Sequence, residues 1–535
     1  MPRAKEGGSS PVVDGGVPFA DLLAAVHPPA DRARDFYADG SWRAQTVLHD
    51  VYRGAAIHPH RAAVVAHRAH QPAPARIVRV SYGQLASYTE RFAYALDALG
   101  IGPGDPVAFQ LPDRWETCAL LLACLRTGAV AVPVMTGYGA RDLKAALEAA
   151  QPRVCVVPDR WEGIAPAEIV ADLAPALPWL RHRVVLGDAA ATGAVSFVRH
   201  FVRTPHERHH HTAGRLPLQA DIADRITVIL TTLGLHGSHH MALHSLNTLH
   251  AGVDRAADGA GYSALPLPAP ASLLHTLLAP LARGAAAVLQ DVWDADAALE
   301  VMAASGARTA LATPAQWAEL AAAQRQQPRA LTSLRQAISS DPAGAATGLV
   351  REIQEALRVP LTALSGPATG EGNEPGGDGR PRVRGPASPL AVWRRESGGL
   401  RPTWRYEGPS GPGDFAGLAA GGRPAPAAPV QEIGGVFLVP VTEVEEQLMK
   451  HPAIAEAAVV ACTDPEHGEL ACVVVVPSGD PPTLTELRGH LLDAGTAPAH
   501  LPGRLELMGA LPRTDSGTVR RGELRRLLGS RLSAL

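Results

Sequence analysis

Apolar residues along this chain recur in two rhythms. Leu85, Tyr88, Phe92, Leu96 and Leu99 stand at helical spacing and predict an amphipathic helix within Val80 to Leu99. Thr46 to Ala56, Trp115 to Thr127 and Ser272 to Leu281 read as further helices. Short apolar runs predict strands at Arg61 to Ala66, Val107 to Leu111, Ala129 to Pro133, Cys155 to Val157, Val184 to Leu186 and Ile226 to Leu230. Ala286 to Leu289, Thr309 to Leu311 and part of Leu331 to Ser339 extend that series. Strands alternating with helices imply a mainly parallel sheet with helices on its faces.

The rhythm fails in three places. Residues 1–44 show little periodicity and read as a leader. Gly370 to Pro389 is rich in Gly and Pro and reads as loop, and Pro402 to Pro429 reads as an interdomain linker. A second unit begins near Gln431. It has a helix at Thr442 to Met449, a strand at Ala457 to Ala461 and a continuous valine-rich run at Ala471 to Val476, which predicts a central strand. Thr483 and Glu486 form a capping box ahead of a helix reaching Leu492. Arg504 to Met508 reads as a strand and Gly522 to Leu528 as a terminal helix. The fold class expected is α/β: a large N-terminal domain of mixed sheets with helices on their faces, and a small C-terminal α+β lid domain. The divisions are 1–44, 45–413, 414–430 as hinge, and 431–535.

Composition narrows the function classes. The 535 residues carry 49 basic and 52 acidic side chains, a formal charge of −3, which argues against wholesale nucleic-acid binding. No apolar stretch reaches the roughly 18 residues of a membrane span, and the polar N-terminus has no signal pattern, so a soluble cytoplasmic protein is expected. Cys118, Cys124, Cys155, Cys462 and Cys472 are scattered, with no C-x-x-C spacing, and read as core thiols. The only lysines are Lys5, Lys144 and Lys450. Chemistry that needs an ammonium group has no other candidates.

Two stretches carry candidate chemistry. His206 to His210 matches the H-E-x-x-H zinc pattern, but that pattern works only on a helix. Pro205 before it and His211 to Gly214 after it point to a solvated loop. Leu230 to Leu249 places Thr232, Gly234 and Gly237 where small residues would let a backbone approach phosphate oxygens. Leu233, Leu235 and Met241 add bulk there, and no lysine follows. His236, His239, His240 and His244 crowd the same stretch at offsets that could share a metal on a helix. Nearby carboxylates are absent, and solvated loop histidines are the commoner reading, so no metal is assigned.

Several ordered stretches make the chain resemble the adenylate-forming superfamily, close to the acyl-CoA synthetases. These are Val80 to Leu85, Leu99 to Asp105, Leu120 to Pro133, Asp378 to Pro381, Thr442 to Val460 and Leu511 to Gly517. The resemblance implies a two-domain ligase that uses ATP and Mg to join a carboxylic acid to AMP, and then passes the acyl group to CoA or to carrier-protein pantetheine. It also implies a phosphate loop of the form Thr-Ser-Gly-Thr-Thr-Gly-x-Pro-Lys-Gly. Aligned through His244 to Leu249, the lysine position is His240, the serine position is Leu233, and the two threonines are Leu235 and His236. The adenine and magnesium motif Tyr-Gly-x-Thr-Glu falls on Ser365, Gly366, Pro367, Ala368 and Thr369, with Glu371 two residues beyond. Asp414 after Gly413 matches the ribose-binding aspartate in part, and Thr518 stands where a C-terminal catalytic lysine is expected.

By resemblance, then, Thr232, Gly234, Gly237, Gly366 and Asp414 are the nucleotide contacts, and His240, Thr369 and Thr518 are degenerate catalytic positions. The first expectation is a catalytically degenerate homologue that binds an acyl or carrier ligand or a partner enzyme. The alternatives are a working acid–thiol ligase with a rebuilt site and a histidine-based repurposed enzyme. Pocket residues are expected in Leu265 to His275 and Ser339 to Ser365, with Tyr262 and His275 as wall residues or ordinary packing.

Overall fold

The computed structural model describes residues 12–13, 17–209, 222–233, 239–253, 259–339, 347–363, 373–375, 381–383, 386–394, 399–402, 430–433, 437–464, 468–496, 500–512, 524 and 527–528. Two large sheets organise the N-terminal domain. The first has nine strands. Its parallel part runs Ile226–Leu233, Val130–Pro133, Pro106–Phe109, Val154–Pro158, His182–Leu186 and Val195–Ser196 in spatial order. His239–Ser245, Ala391–Arg394 and Gly399–Pro402 extend it antiparallel beyond Ile226–Leu233. The second sheet has seven strands, parallel from Leu361–Ala363 through Gln336–Ser339, Thr309–Ala312, Gly261–Ser263 and Ala287–Gln290 to Ala62–His67, with Ile77–Ser81 antiparallel at its edge.

Burial explains the layering. Val107 and Phe109 face one core while Ala108 between them faces another, because strand side chains alternate. Helices Tyr82–Ala98 and Trp115–Thr127 fill the space between the sheets, with Phe92, Leu120 and Leu122 packed among Val64, Leu289, Val156 and Leu230. Every residue of Trp115–Thr127 is buried, as expected for a helix covered on all sides. Leu143 and Leu147 cover the outer face of the first sheet, and Leu299, Met302 and Trp317 that of the second. The result is helix, sheet, helix, sheet, helix.

Local signals set the element ends. Ser81 caps the Tyr82–Ala98 helix, accepting from the Gln84 backbone N–H, while the Gln84 side chain takes the Ser81 N–H. Gly128, at φ 76°, closes Trp115–Thr127 in the left-handed conformation that glycine adopts without strain. In the C-terminal unit Gly468–Pro477 lies between Ile454–Asp464 and Arg504–Leu507, so the valine-rich run is central. Its two faces enter two small cores, Val473 and Val475 on one side and Cys472 and Val474 on the other. The Thr483–Glu486 capping box is present. All five cysteines are buried.

Three expectations need correction. The leader is not featureless: Phe19–Ala24 and Ala30–Ala38 are helices, and Phe19, Leu23, Val26 and Trp42 join the outer core of the first sheet. The Trp42 indole donates to the Pro386 carbonyl at 2.9 Å, tying the two segments together. Within the stretch read as loop, Asn373–Pro375 and Pro381–Val383 pair as a short antiparallel ribbon. His206–His209 is a short helix, not a solvated loop. The Glu207 carboxylate accepts from Arg91 at 2.9 and 3.1 Å, and His206 Nε2 lies 3.0 Å from the His200 carbonyl. Tertiary contacts fix that turn; His210 lies outside the described residues. No helix among the described residues is long and apolar enough to cross a membrane.

Candidate functional site

In parallel sheets ligands collect at the carboxyl ends of the strands, where the loops leave. Both sheets present those ends to one cleft of about 510 Å3, counting its open mouth. Asp113, Thr136 and Glu162 follow the Pro106–Phe109, Val130–Pro133 and Val154–Pro158 strands of the first sheet. Ser263, Gln290 and Asp291 stand at the ends of Gly261–Ser263 and Ala287–Gln290 of the second, and Ala264, Pro266 and Trp293 complete the described wall. The segments 234–238, 340–346 and 364–372 leave the same ends of Ile226–Leu233, Gln336–Ser339 and Leu361–Ala363.

Three carboxylates line the described wall. Asp113 is buried, and both of its carboxylate oxygens accept from one donor, the Leu267 N–H, at 3.0 and 3.1 Å. Burial raises its pKa to about 7 against that hydrogen bond, and the charge of Asp291 adds to the rise. Glu162, at the exposed mouth, is raised by desolvation and then by Asp291. Asp291 is better provided for. Arg114, which precedes the Trp115–Thr127 helix, pairs with it at 2.7 Å, and the Ala69 N–H donates at 2.9 Å. The Arg114 guanidinium also lies 4.9 Å from the centre of the Trp161 ring. Tyr262 donates to Gln290 at 2.6 Å, and Gln290 donates onward to the Asp294 carbonyl at 2.8 Å. Among the described lining residues none is Lys, Arg or His.

The histidine-rich stretch is not a helix. His239, His240 and His244 belong to the strand His239–Ser245, which pairs His239 with Leu233, His240 with Thr232 and Arg394, and His244 with Val228. On a strand His240 and His244 lie about 13 Å apart, so the offsets that would share a metal on a helix do not converge. His244 is not solvated either. It is buried, its Nδ1 lies 3.0 Å from Thr248 Oγ1, and desolvation lowers its pKa to about 3, so the ring is neutral. Among the described residues no group of three potential metal ligands forms.

Thr232 is the penultimate residue of the preceding strand, with its backbone beside that of His240. Gly234, His236, Gly237, Gly366, Thr369, Asp414 and Thr518 lie outside the described residues. Neither described lysine reaches the cleft lining: Lys144 pairs with Glu148 at 3.8 Å, and exposed Lys450 donates to Gln447 at 3.1 Å. Tyr262 and His275 are packing residues outside that lining. Tyr262 is 1% exposed, and the His275 carbonyl crowds Gly261, where an added Cβ would lie 2.2 Å away. Sequence reading missed Asp113, Glu162 and Asp291. Each stands within about four residues of an apolar strand's carboxyl end, and that placement is the signal that finds them.

The comparisons with known proteins agree with this architecture. The AMP-binding enzyme model matches residues 51–368, and the AMP-binding enzyme C-terminal domain matches residues 443–518. The chain is similar to a salicyl-AMP ligase / salicyl-S-ArCP synthetase of Mycobacterium tuberculosis, at 28% identity over 99% of this chain and 98% of the relative. It is similar to an indoleacetate–CoA ligase of Aromatoleum aromaticum, at 27% identity over 84% and 93%. Among solved structures, apo MbtA of Mycobacterium smegmatis superposes with TM-score 0.56 at 24% identity, covering 95% of this chain and 99% of that one. The amide bond synthetase McbA of Marinactinospora thermotolerans gives 0.63 at 20%, covering 90% and 99%; these two likenesses concern the fold. With both domain models matched in order, the chain belongs to the AMP-binding enzyme family.

Proposed function

We propose that this chain is an acyl-CoA synthetase-like protein in which binding has outlived efficient adenylation. It takes a small carboxylic acid or acyl thioester in the cleft between its sheets, or serves an active partner enzyme or carrier protein. The observation that supports this is the charge of the cleft: its described wall carries three carboxylates and no basic residue. A triphosphate with Mg needs cation density on its oxygens. By the resemblance the family's lysine position falls on His240, which lies on a strand, and neutral histidine supplies little charge at pH 7. Losing one donor of this kind costs roughly 2.7–4 kcal/mol of transition-state stabilisation, and such losses do not simply add.

In this reading residues 45–413 form the ligand-binding body, 414–430 the hinge and 431–535 the lid, and the protein works in the cytoplasm. Asp414, Gly366, Gly234, Gly237 and Thr232 are the positions at which residual nucleotide contact is expected.

A second reading has support of its own, because the relatives named above are called ligases. Under it the chain is a working acid–thiol ligase that uses ATP and Mg and then CoA or carrier-bound pantetheine. Segments such as 234–238 and 364–372 would then supply a rebuilt site. Pyrophosphate release separates the two. Salicylate, indoleacetate, medium-chain fatty acids and other carboxylates are offered with Mg-ATP, with and without CoA. The proposal expects no acid-dependent release, and robust turnover with any acid establishes the second reading.

A further inference from the structure

The cleft has a one-sided hydrogen-bonding chemistry. Asp113, Glu162 and Asp291 offer acceptors, and no described lining residue is a cation. Arg114, the guanidinium that touches this wall, is held by Asp291 and stacked on Trp161. Among the described residues Asp113 has no cationic partner: a single backbone N–H serves both of its oxygens. Behind the wall, Gln110 is 1% exposed and directs its amide nitrogen at the carbonyls of Met135, Thr136 and Tyr138. Three carbonyl acceptors fix which end of that amide is nitrogen. The Gln110 carbonyl oxygen is thereby left buried without a protein partner, next to a lining residue, Thr136, whose carbonyl it holds. A buried acceptor short of donors is unfavourable, and at Asp113, which lines the cleft, a donor brought by a ligand relieves it. The Trp293 indole supplies an aromatic side to the same space, with its N–H occupied by Glu319 at 2.8 Å.

We propose that this cleft recognises a primary ammonium group, with Asp113 and Glu162 as its charge partners and Trp293 as a side wall. The inference rests on the preceding reading that the cleft holds a small organic ligand, and it names the polar class of that ligand. An ammonium satisfies the wall because it has three donors and a full positive charge, and an indole face favours a cation beside it. The ammonium belongs either to an amine-bearing carboxylic acid or to a free amine.

Titration calorimetry on the full chain tests this with 4-(aminomethyl)benzoate, benzylamine and 4-ethylbenzoate, which share a ring and differ in their charged groups. The two amines bind at least about tenfold more tightly than 4-ethylbenzoate, as expected for a desolvated charge pair. Tighter binding of 4-(aminomethyl)benzoate than of benzylamine identifies an amine-bearing acid as the source, and equal binding identifies a free amine; both support the proposal. Asp113→Asn lowers amine affinity by about tenfold or more, and Glu162→Gln by a smaller factor because it stands at the open mouth. Neither variant weakens 4-ethylbenzoate, whose own carboxylate gains when a wall carboxylate is neutralised. Should Asp113→Asn fail to fold, Glu162→Gln carries the test alone.

Equal affinity for 4-ethylbenzoate and 4-(aminomethyl)benzoate overturns the proposal, as does no amine binding at millimolar concentration or unchanged amine affinity in Glu162→Gln. Pyrophosphate release on the same preparation keeps the two claims apart. Acid-dependent release contradicts the loss of adenylation and leaves the ammonium preference to be read from the titrations. Missing amine preference without release contradicts only the ammonium site.

Discussion

Asp50 and Asp113 are both buried carboxylates, and their surroundings differ in kind. Asp50, on the Val47–Ile57 helix, takes Arg43 on one side and Arg53 on the other at 2.6 Å. A neighbouring cluster repeats the pattern, with the Glu90 carboxylate accepting from Arg126 at 2.7 Å and from the Tyr52 hydroxyl. Asp113, at the meeting of the strand ends, has one backbone N–H among the described residues. Where a buried charge serves architecture, guanidinium groups neutralise it. Asp113, which lines the cleft, has no such partner among the described residues, and burial moves its pKa to about 7, whereas Asp291 beside it is paired with Arg114. Undercompensated titratable groups in a cleft are the mark of a site.

The largest effect expected on the architectural side is from Asp50→Ala. It breaks a buried pair and should destabilise by about 3–5 kcal/mol, toward the low end because Arg53 is half exposed and can return to solvent. Urea denaturation measures it. A loss below about 0.5 kcal/mol, the scale of a surface change, would erase the contrast between the two aspartates.

The cleft side should respond to pH instead. The folded pKa of Asp113 stands at about 7, above its ordinary 3.8. The stability this group permits is therefore full below about pH 4 and is lost as the pH rises through 7. The loss between pH 5 and 8 amounts to roughly 3 kcal/mol. Asp113→Asn should remove that slope, leaving the variant more stable than the parent at pH 8. Parallel stability–pH curves for the two proteins would contradict the assignment.

Smaller effects are expected away from both aspartates. Gly54 shares the helix of Asp50, and a Cβ there would lie 2.5 Å from the Tyr82 ring. Overpacking against a fully buried tyrosine should make Gly54→Ala lose about 1–3 kcal/mol, readable as a fall in Tm with amine affinity unchanged. Thr483→Ala, in the separate C-terminal unit, removes a cap to the Glu486 N–H and should lose about 1 kcal/mol. A change in amine affinity in that variant would show the cleft to depend on more than the strand ends.

The scaffold was readable from sequence because its signals are local. The helical spacing of Leu85, Phe92 and Leu96, the Thr483–Glu486 box and the valine run at Ala471 to Val476 each specify an element without knowledge of its neighbours. The leader helices were readable in principle: Phe19, Leu23 and Val26 stand at helical spacing, but prolines at 18, 28 and 29 obscure it. The strand His239–Ser245 was misread because four histidines drew attention to their offsets. The alternation of Met241 and Leu243 toward the core was the better guide. The His206–His209 turn depends on Arg91, more than a hundred residues away, and no local pattern shows it. The cleft was legible least. Arg114 and Asp291 are separated by 177 positions, and only the packing of two sheets brings them together. The nucleotide-contact candidates rested on resemblance alone, and most of them lie outside the described residues.

Calorimetric titration of the full chain with Mg-ATP tests the central claim most directly, because it asks whether a cleft whose described wall carries three carboxylates accepts a polyphosphate. Weak or undetectable binding at millimolar nucleotide is expected. Micromolar affinity, accompanied by acid-dependent pyrophosphate release, would contradict it.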